Sequence, residues 1–239
     1  MAAASAPDNG LTAEETAQGW MLLFDGKSTN GWREFGKETF PAKGWKVENE
    51  ILVHEKNEED FRAGDIITVD QYDNFELKVD FRLTPRGNSG IKYLVVEDRV
   101  GTTVGKAQSA VSFEFQILDD DLHPDAKKGK DGNRTVGSLY DLIPAAADKV
   151  VKPIGQWNQA HLIVDGNRIE HWLNGKKVVA YERGSADLRT RIAQSKFKDV
   201  KGFGENAKGH ILLQDHNDEI AFRNIKLRKL PTPTASLGQ

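Results

Sequence analysis

Nine consecutive residues, Phe75-Glu76-Leu77-Lys78-Val79-Asp80-Phe81-Arg82-Leu83, alternate apolar and charged without a break. A helix repeats its faces every ~3.6 residues, so a period of two fixes a strand, with Phe75, Leu77, Val79, Phe81 and Leu83 toward a core. The same pattern returns along the chain. Trp45-Lys46-Val47-Glu48 and Ile51-Leu52-Val53 flank Asn49-Glu50 as a hairpin, and residues 90–96 follow the turn Pro85-Arg86-Gly87-Asn88-Ser89. Residues 161–164 and 168–173 pair around Asp165-Gly166-Asn167. Asn174-Gly175 then turns the chain into residues 177–181, both residues accepting the positive φ of a type I′ turn. Residues 209–214 and 220–227 read as the last strands. Helix is expected only over residues 13–18, where Thr12 and Glu15 have capping-box spacing. Many strands, turn signals between them and one short N-terminal helix predict an all-β fold, an antiparallel sandwich of two sheets.

A chain of 239 residues suits one such unit. It is expected over residues 12–230, after a flexible segment over 1–11 and before a disordered tail over 231–239. Two long polar loops, residues 122–134 and 187–206, interrupt the strands, and loops of that length on a sandwich usually serve function. A formal charge of −3 leaves no broad basic footprint, which argues against nucleic acid as a partner. There is no apolar run near the ~18 residues that span a bilayer. Without cysteine there is no disulfide, no thiolate metal site and no cysteine nucleophile. The small, polar start, Met1 to Gly10, resembles the segment behind a cleaved export signal, so export to a periplasmic or extracellular space is expected.

The strand Ser112-Phe113-Glu114-Phe115-Gln116-Ile117-Leu118-Asp119 carries the chemistry. Phe113, Phe115 and Ile117 point one way, Glu114 and Gln116 the other. A bulge at Leu118 would restore the phase and bring Asp119 to the polar face. Two carboxylates and an amide on one rigid strand suit a sugar-binding cleft.

The order of motifs resembles the 3-keto-disaccharide hydrolase domain family. The opening Trp20-Met21-Leu22-Leu23-Phe24-Asp25-Gly26-Lys27 leads to Gly31-Trp32, and the Phe75–Arg82 block to Asn88-Ser89-Gly90-Ile91. Then come Glu114 to Asp119, Gly137-Ser138-Leu139-Tyr140, Trp157-Asn158, His171-Trp172-Leu173-Asn174-Gly175, Leu213-Gln214-Asp215-His216 and Phe222-Arg223-Asn224-Ile225. The resemblance implies a concanavalin A-like jelly roll that cleaves glycosides whose glucose unit is oxidised at C3. It implies an oligosaccharide or glycoside substrate. A C3 ketone acidifies the C2 proton; removing it gives an enolate that can expel the C1 aglycone, and water then adds back. Two other functions fit the same fold: a non-catalytic glycan-binding module, and a laminarinase-type retaining glycosidase. The laminarinase pattern has carboxylates where this chain has Gln116 and the shorter Asp119.

Glu114, Asp119 and His171 are the candidate catalytic groups, His171 because imidazole titrates near neutral pH. His171 also alternates with Ile169 and Leu173, which would equally make it a core histidine. Gln116, Asn88, Gln214 and His216 are candidates for holding sugar hydroxyls, and Tyr140 and Trp172 offer flat faces for a sugar ring. Arg82 ends a strand and Arg223 falls in the inward series Arg223, Ile225, Leu227, so both need partners, which a carboxylate such as Glu114 or a substrate oxygen could supply. No definite cofactor is named by these residues, but His123 with Asp119, Asp120, Asp121 and Asp125 could hold a hard ion such as Ca²⁺.

Overall fold

The computed structural model describes residues 8–56, 61–98, 100–102 and 108–231. The expected flexible start before residue 8 and the tail from residue 232 lie outside the described residues. In chain order the elements are α1 (Ala13–Ala17), β1 (Trp20–Leu22), β2 (Trp32–Glu34), β3 (Trp45–Glu48), β4 (Ile51–His54), β5 (Ile66–Thr68), β6 (Phe75–Leu83) and β7 (Asn88–Val95). They continue with β8 (Val100–Thr102), β9 (Gln108–Ala110), β10 (Phe113–Leu118), β11 (Asn158–Asp165), β12 (Arg168–Leu173), β13 (Lys176–Glu182), α2 (Ala186–Ala193), β14 (His210–Leu213) and β15 (Ile220–Lys229).

Two antiparallel sheets form the sandwich. The larger runs β13-β12-β11-β6-β15-β4-β3 with β1 added on β15; the smaller runs β10-β7-β14-β5-β2. Phe75, Leu77, Val79, Phe81 and Leu83 are all buried, as their alternation requires. With Leu162 and Phe222 they meet Tyr93, Phe115, Ile117 and Leu213 of the smaller sheet in one core. A second cluster, Phe35, Ile67, Val95, Ala110 and Leu212, lies on the other face of the smaller sheet, where Ala110 ends the ribbon β8–β9. Thr12 and Glu15 form the reciprocal capping box at α1.

Three local expectations change. The sequence predicts one helix, but α2 is a second, lying in the stretch read as loop and started by the Ser185 side chain accepting from Leu188 N–H. The pairing of β10 with β7 runs unshifted from Phe113↔Tyr93 to Leu118↔Asn88, so no bulge sits at Leu118. A bulge falls instead between Arg223 and Lys226 of β15, where Asn224 takes φ 51°. It resets the side-chain phase, so Arg223 does not join the inward series of Ile225 and Leu227.

Candidate active site

Because Phe113, Phe115 and Ile117 point into the core, Glu114 and Gln116 stand on the opposite face of β10. The register places Lys92 across from Glu114 and Gly90 across from Gln116. Glu114, Gln116 and Lys92, with Asn88, Gln214, His216, Tyr140, Ser109 and Lys196, line a cavity of about 530 Å³ on the outer face of the smaller sheet. Gly90 makes the close packing there possible. A Cβ at this position would lie 2.1 Å from Glu114 Oε1 and 2.9 Å from its Cγ, so the carboxylate rests on the bare backbone.

Glu114 is 6% exposed. Burial raises its carboxyl pKa, and the charges of Lys92 and Lys196 oppose that rise. The Gln116 amide fits its surroundings when its nitrogen donates to Glu114 Oε1 (3.1 Å) and to the Ser89 carbonyl (3.2 Å). Lys92 Nζ donates to Ser109 Oγ (3.1 Å) and the Ala110 carbonyl (2.9 Å), with the Asp65 carboxylate 4.0 Å away. Lys196 is exposed as a residue, yet its ammonium leans over the Tyr140 ring at 4.1 Å. Desolvation there lowers its pKa, and Glu114 opposes the shift. The Tyr140 hydroxyl donates to Asp125 (2.8 Å), which Arg134 also clamps at 3.0 Å. Tyr140 is thereby held as one wall, and burial first, then Asp125, pushes its pKa up. Backbone bonds from Gln116 N–H to the Ser138 carbonyl (3.1 Å), Gly137 N–H to the Gln116 carbonyl (2.8 Å) and Tyr140 N–H to the Glu114 carbonyl (3.1 Å) tie residues 137–140 along β10.

The structure gathers Glu114, Gln116, Asn88, Tyr140, Gln214 and His216, and leaves the other candidates elsewhere. Asp119 lies below the loop after β10: its Oδ2 accepts from Arg86 N–H (2.8 Å), its Oδ1 from Asp121 and Leu122 N–H (3.2 and 3.1 Å). Without the bulge it caps turns and does not line the cavity. His171 is fully buried between the sheets, Nε2 at 2.7 Å from the Tyr93 hydroxyl and Nδ1 at 3.0 Å from the Gly137 carbonyl. A carbonyl only accepts, so Nδ1 carries the proton and Nε2 accepts from Tyr93, whose oxygen takes the Tyr181 hydroxyl (2.7 Å). Desolvation lowers the His171 pKa to about 4, and the ring is a neutral core group.

Trp172, next along β12, faces outward on the larger sheet, where its indole donates to Glu170 (2.9 Å) under Lys177. Arg82 and Arg223 share that outer face. Their guanidinium groups stack on Trp157 at 4.8 and 4.3 Å, and Arg223 pairs with Asp8 and Asp80 instead of Glu114. Lys92 and Lys196 are cavity residues that the sequence reading missed. The alternation Gly90, Lys92 could have flagged the first; Lys196 arrives from a distant segment, and no local pattern announces it.

Three carboxylates of the Asp-rich loop are turned to protein partners. Asp120 accepts Val136 N–H and pairs with Lys149 at 2.7 Å, while Asp119 and Asp125 have the partners given above. His123 instead approaches His216 and Asp218, and ligand atoms of these three lie within 4.8 Å of one another.

Among the described residues no helix is long and apolar enough to cross a membrane. A family of domains described as 3-keto-alpha-glucoside-1,2-lyase-like matches residues 19–228. A 3-keto-disaccharide hydrolase of Bacteroides thetaiotaomicron is 38% identical over 232 residues, covering 90% of this chain and 79% of that protein. A candidate glycosyl hydrolase of Parabacteroides distasonis superposes with a TM-score of 0.80 at 32% identity, covering 94% of this chain and all of that one (100%). A second from the same organism gives 0.62 at 28% identity, over 88% and 99% of the two chains.

Proposed function

The chain belongs to the 3-keto-alpha-glucoside-1,2-lyase-like domain family, and on that footing we propose that its cavity cleaves glycosides whose glucose unit carries a ketone at C3. The activity is cleavage of a carbohydrate, as in the hydrolase relative. The observation that carries the finer reading is Glu114, a nearly enclosed carboxyl group on the cavity floor with Lys92 directly across the ladder. Removing a proton from carbon needs a base stronger than a solvated carboxylate, and desolvation makes Glu114 such a base.

As a carboxylate, Glu114 takes the C2 proton, and the electron pair of that bond moves toward the C3 oxygen. The cationic side of the cavity, Lys92 and Lys196, offsets the negative charge that develops. The enolate re-forms its carbonyl by expelling the C1 aglycone with the bonding pair, and the aglycone oxygen picks up a proton. Water then adds across C1–C2, its hydroxyl to C1 and a proton to C2. Gln116, Asn88 and Gln214 offer donors and acceptors for sugar hydroxyls, and Tyr140 a flat wall for the ring. Direct double displacement wants two carboxyl groups ~5 Å apart. The second carboxylate, Asp119, just past the end of β10, is spent on turn N–H groups.

Incubating the protein with a glucoside and with its 3-keto derivative tests this. Release from the oxidised sugar alone, with solvent deuterium entering C2 in heavy water, is expected. Release from both, with no deuterium at C2, would make it an ordinary glycosidase, and binding without release a glycan-binding module.

A further inference from the structure

Asp65, immediately before β5, is a buried acid that the chemistry above does not use. Both its oxygens accept hydrogen bonds: Oδ1 from Asp215 N–H and Oδ2 from the Ser109 hydroxyl, each at 2.9 Å. Ser109 in turn accepts from Lys92 Nζ at 3.1 Å, so hydroxyl and carboxylate stand in line with the ammonium. An ammonium has three N–H donors. On Lys92 one goes to Ser109 and another to the Ala110 carbonyl at 2.9 Å, and the ion-pair partner is Asp65 at 4.0 Å. Glu114 lies opposite Lys92 on the ladder, yet among the described residues the two make no hydrogen bond; the charge reaches Glu114 across space. Two buried acids thus share one cation. At each of them burial raises the pKa, and the charge of Lys92 is the first to oppose it.

We propose that Asp65 is a positioning residue that, with Ser109, draws the Lys92 ammonium away from Glu114 and so keeps Glu114 free to act as the base. The inference rests on the role given to Glu114 above. A carboxylate bonded directly to an ammonium is held in its ionised form and becomes a poorer proton acceptor. With the ammonium turned to Asp65, Glu114 keeps the raised proton affinity of a buried acid, while the positive charge stays close enough to offset an enolate. Glu114 is also faced by Lys196 from behind α2, by Asp125 from the loop after β10, and by Tyr140 and Tyr93. Arg62 and His216 line the same cavity. All of these stay in place when Asp65 is changed.

The full chain, labelled at the glutamate carboxyl carbon, is titrated by carbon NMR, the Glu114 resonance being assigned by its loss in Glu114→Gln; the pH profile of kcat/KM is recorded alongside. Asp65→Asn releases the ammonium to Glu114, so the Glu114 titration and the acid limb should both move down by about one pH unit or more, with a fall in kcat. The substitution also removes a nearby negative charge, which acts in the same direction without moving Lys92. A Lys92→Met background separates the two causes: with no ammonium left to turn, Asp65→Asn should shift the titration less than about half as far. Ser109→Ala keeps Asp65 and takes away one acceptor of the ammonium. It should move Glu114 the same way by a smaller step, and it decides the matter should Asp65→Asn not fold. An unmoved Glu114 titration in either folded variant, or an equal shift from Asp65→Asn with and without Lys92, overturns the proposal. The NMR titration stands apart from turnover. Should neither sugar be cleaved, the proposed function fails, and the titration still shows which acid holds Lys92.

Discussion

Glu114 and Lys92 occupy directly opposed positions of the β7–β10 ladder, both buried on the face turned away from the core. A strand pair fixes such groups without the entropy cost that two mobile surface side chains bear. The acid is therefore desolvated yet still ionisable. Glu114→Gln keeps the shape and removes the basicity, so kcat on the 3-keto sugar should fall by ~10²-fold or more. A turnover number near wild type would take Glu114 out of the mechanism.

The pH profile follows from the same environment. Because burial raises the Glu114 pKa, the acid limb of kcat/KM should lie above the ordinary carboxylate range. Where the Lys196 ammonium is needed, desolvation brings the alkaline limb below the ordinary lysine range. Folded Glu114 holds its proton more tightly than the unfolded chain does. Its contribution to stability is thus complete below the unfolded pKa and is lost as pH rises through the folded one. Glu114→Gln should accordingly raise the melting temperature at neutral pH and do little at acid pH. A gain that is larger in acid contradicts the burial argument.

Gly90 is the cheapest place to disturb the base without touching it. A methyl group at 2.1 Å from Oε1 must push the Glu114 side chain off the strand. Gly90→Ala should lower kcat by about tenfold or more, since a small misplacement of a catalytic group is costly. Stability should move far less. Wild-type kinetics would show that the carboxylate has room elsewhere.

His171 should behave as a structural residue. His171→Asn breaks the chain Tyr181 to Tyr93 to His171 to the Gly137 carbonyl and leaves buried groups unpaired, at a cost of about 2–4 kcal/mol. The folded variant should retain kcat well below its melting temperature. Its folded pKa of about 4 lies under that of the unfolded chain, so the stabilisation by His171 is present above the unfolded pKa and lost as pH falls toward 4. Urea titrations from neutral to acid pH should show a shallower fall in the variant. A large loss of kcat in a stable variant would restore His171 to the active site.

Asp125 holds Tyr140 by its hydroxyl, and Arg134 holds Asp125. Asp125→Ala frees the ring, so KM should rise several-fold with kcat less affected. A drop in kcat at constant KM would mean that Tyr140 acts on the reacting atoms.

Alternation alone identified the inward faces of β6 and β10 and hence the shared face of Glu114 and Gln116. Its limit is visible at His171. Sharing a face with Ile169 and Leu173 says nothing of which face that is until the sheet order is known. Arg223 was misplaced because one bulge at Asn224 shifts every later residue of the strand, and Asp119 because a bulge was expected where pairing is regular. Lys92 owes its place to register and Lys196 to tertiary packing, neither of which is written locally. The signals for α2 were present in Ser185 as cap and in the Asp187–Arg191 spacing, which forms an ion pair at 2.8 Å.

The ribbon of backbone bonds between β10 and residues 137–140 has a further consequence, because β10 is the outermost strand of its sheet. An open strand rich in Phe and Ile would recruit a second molecule by edge-to-edge pairing. The segment that delivers Tyr140 also closes that edge, so loosening it should produce assemblies as well as lost turnover. The backbone bonds that hold Tyr140 at the cavity are thus the same ones that cover the open edge of β10.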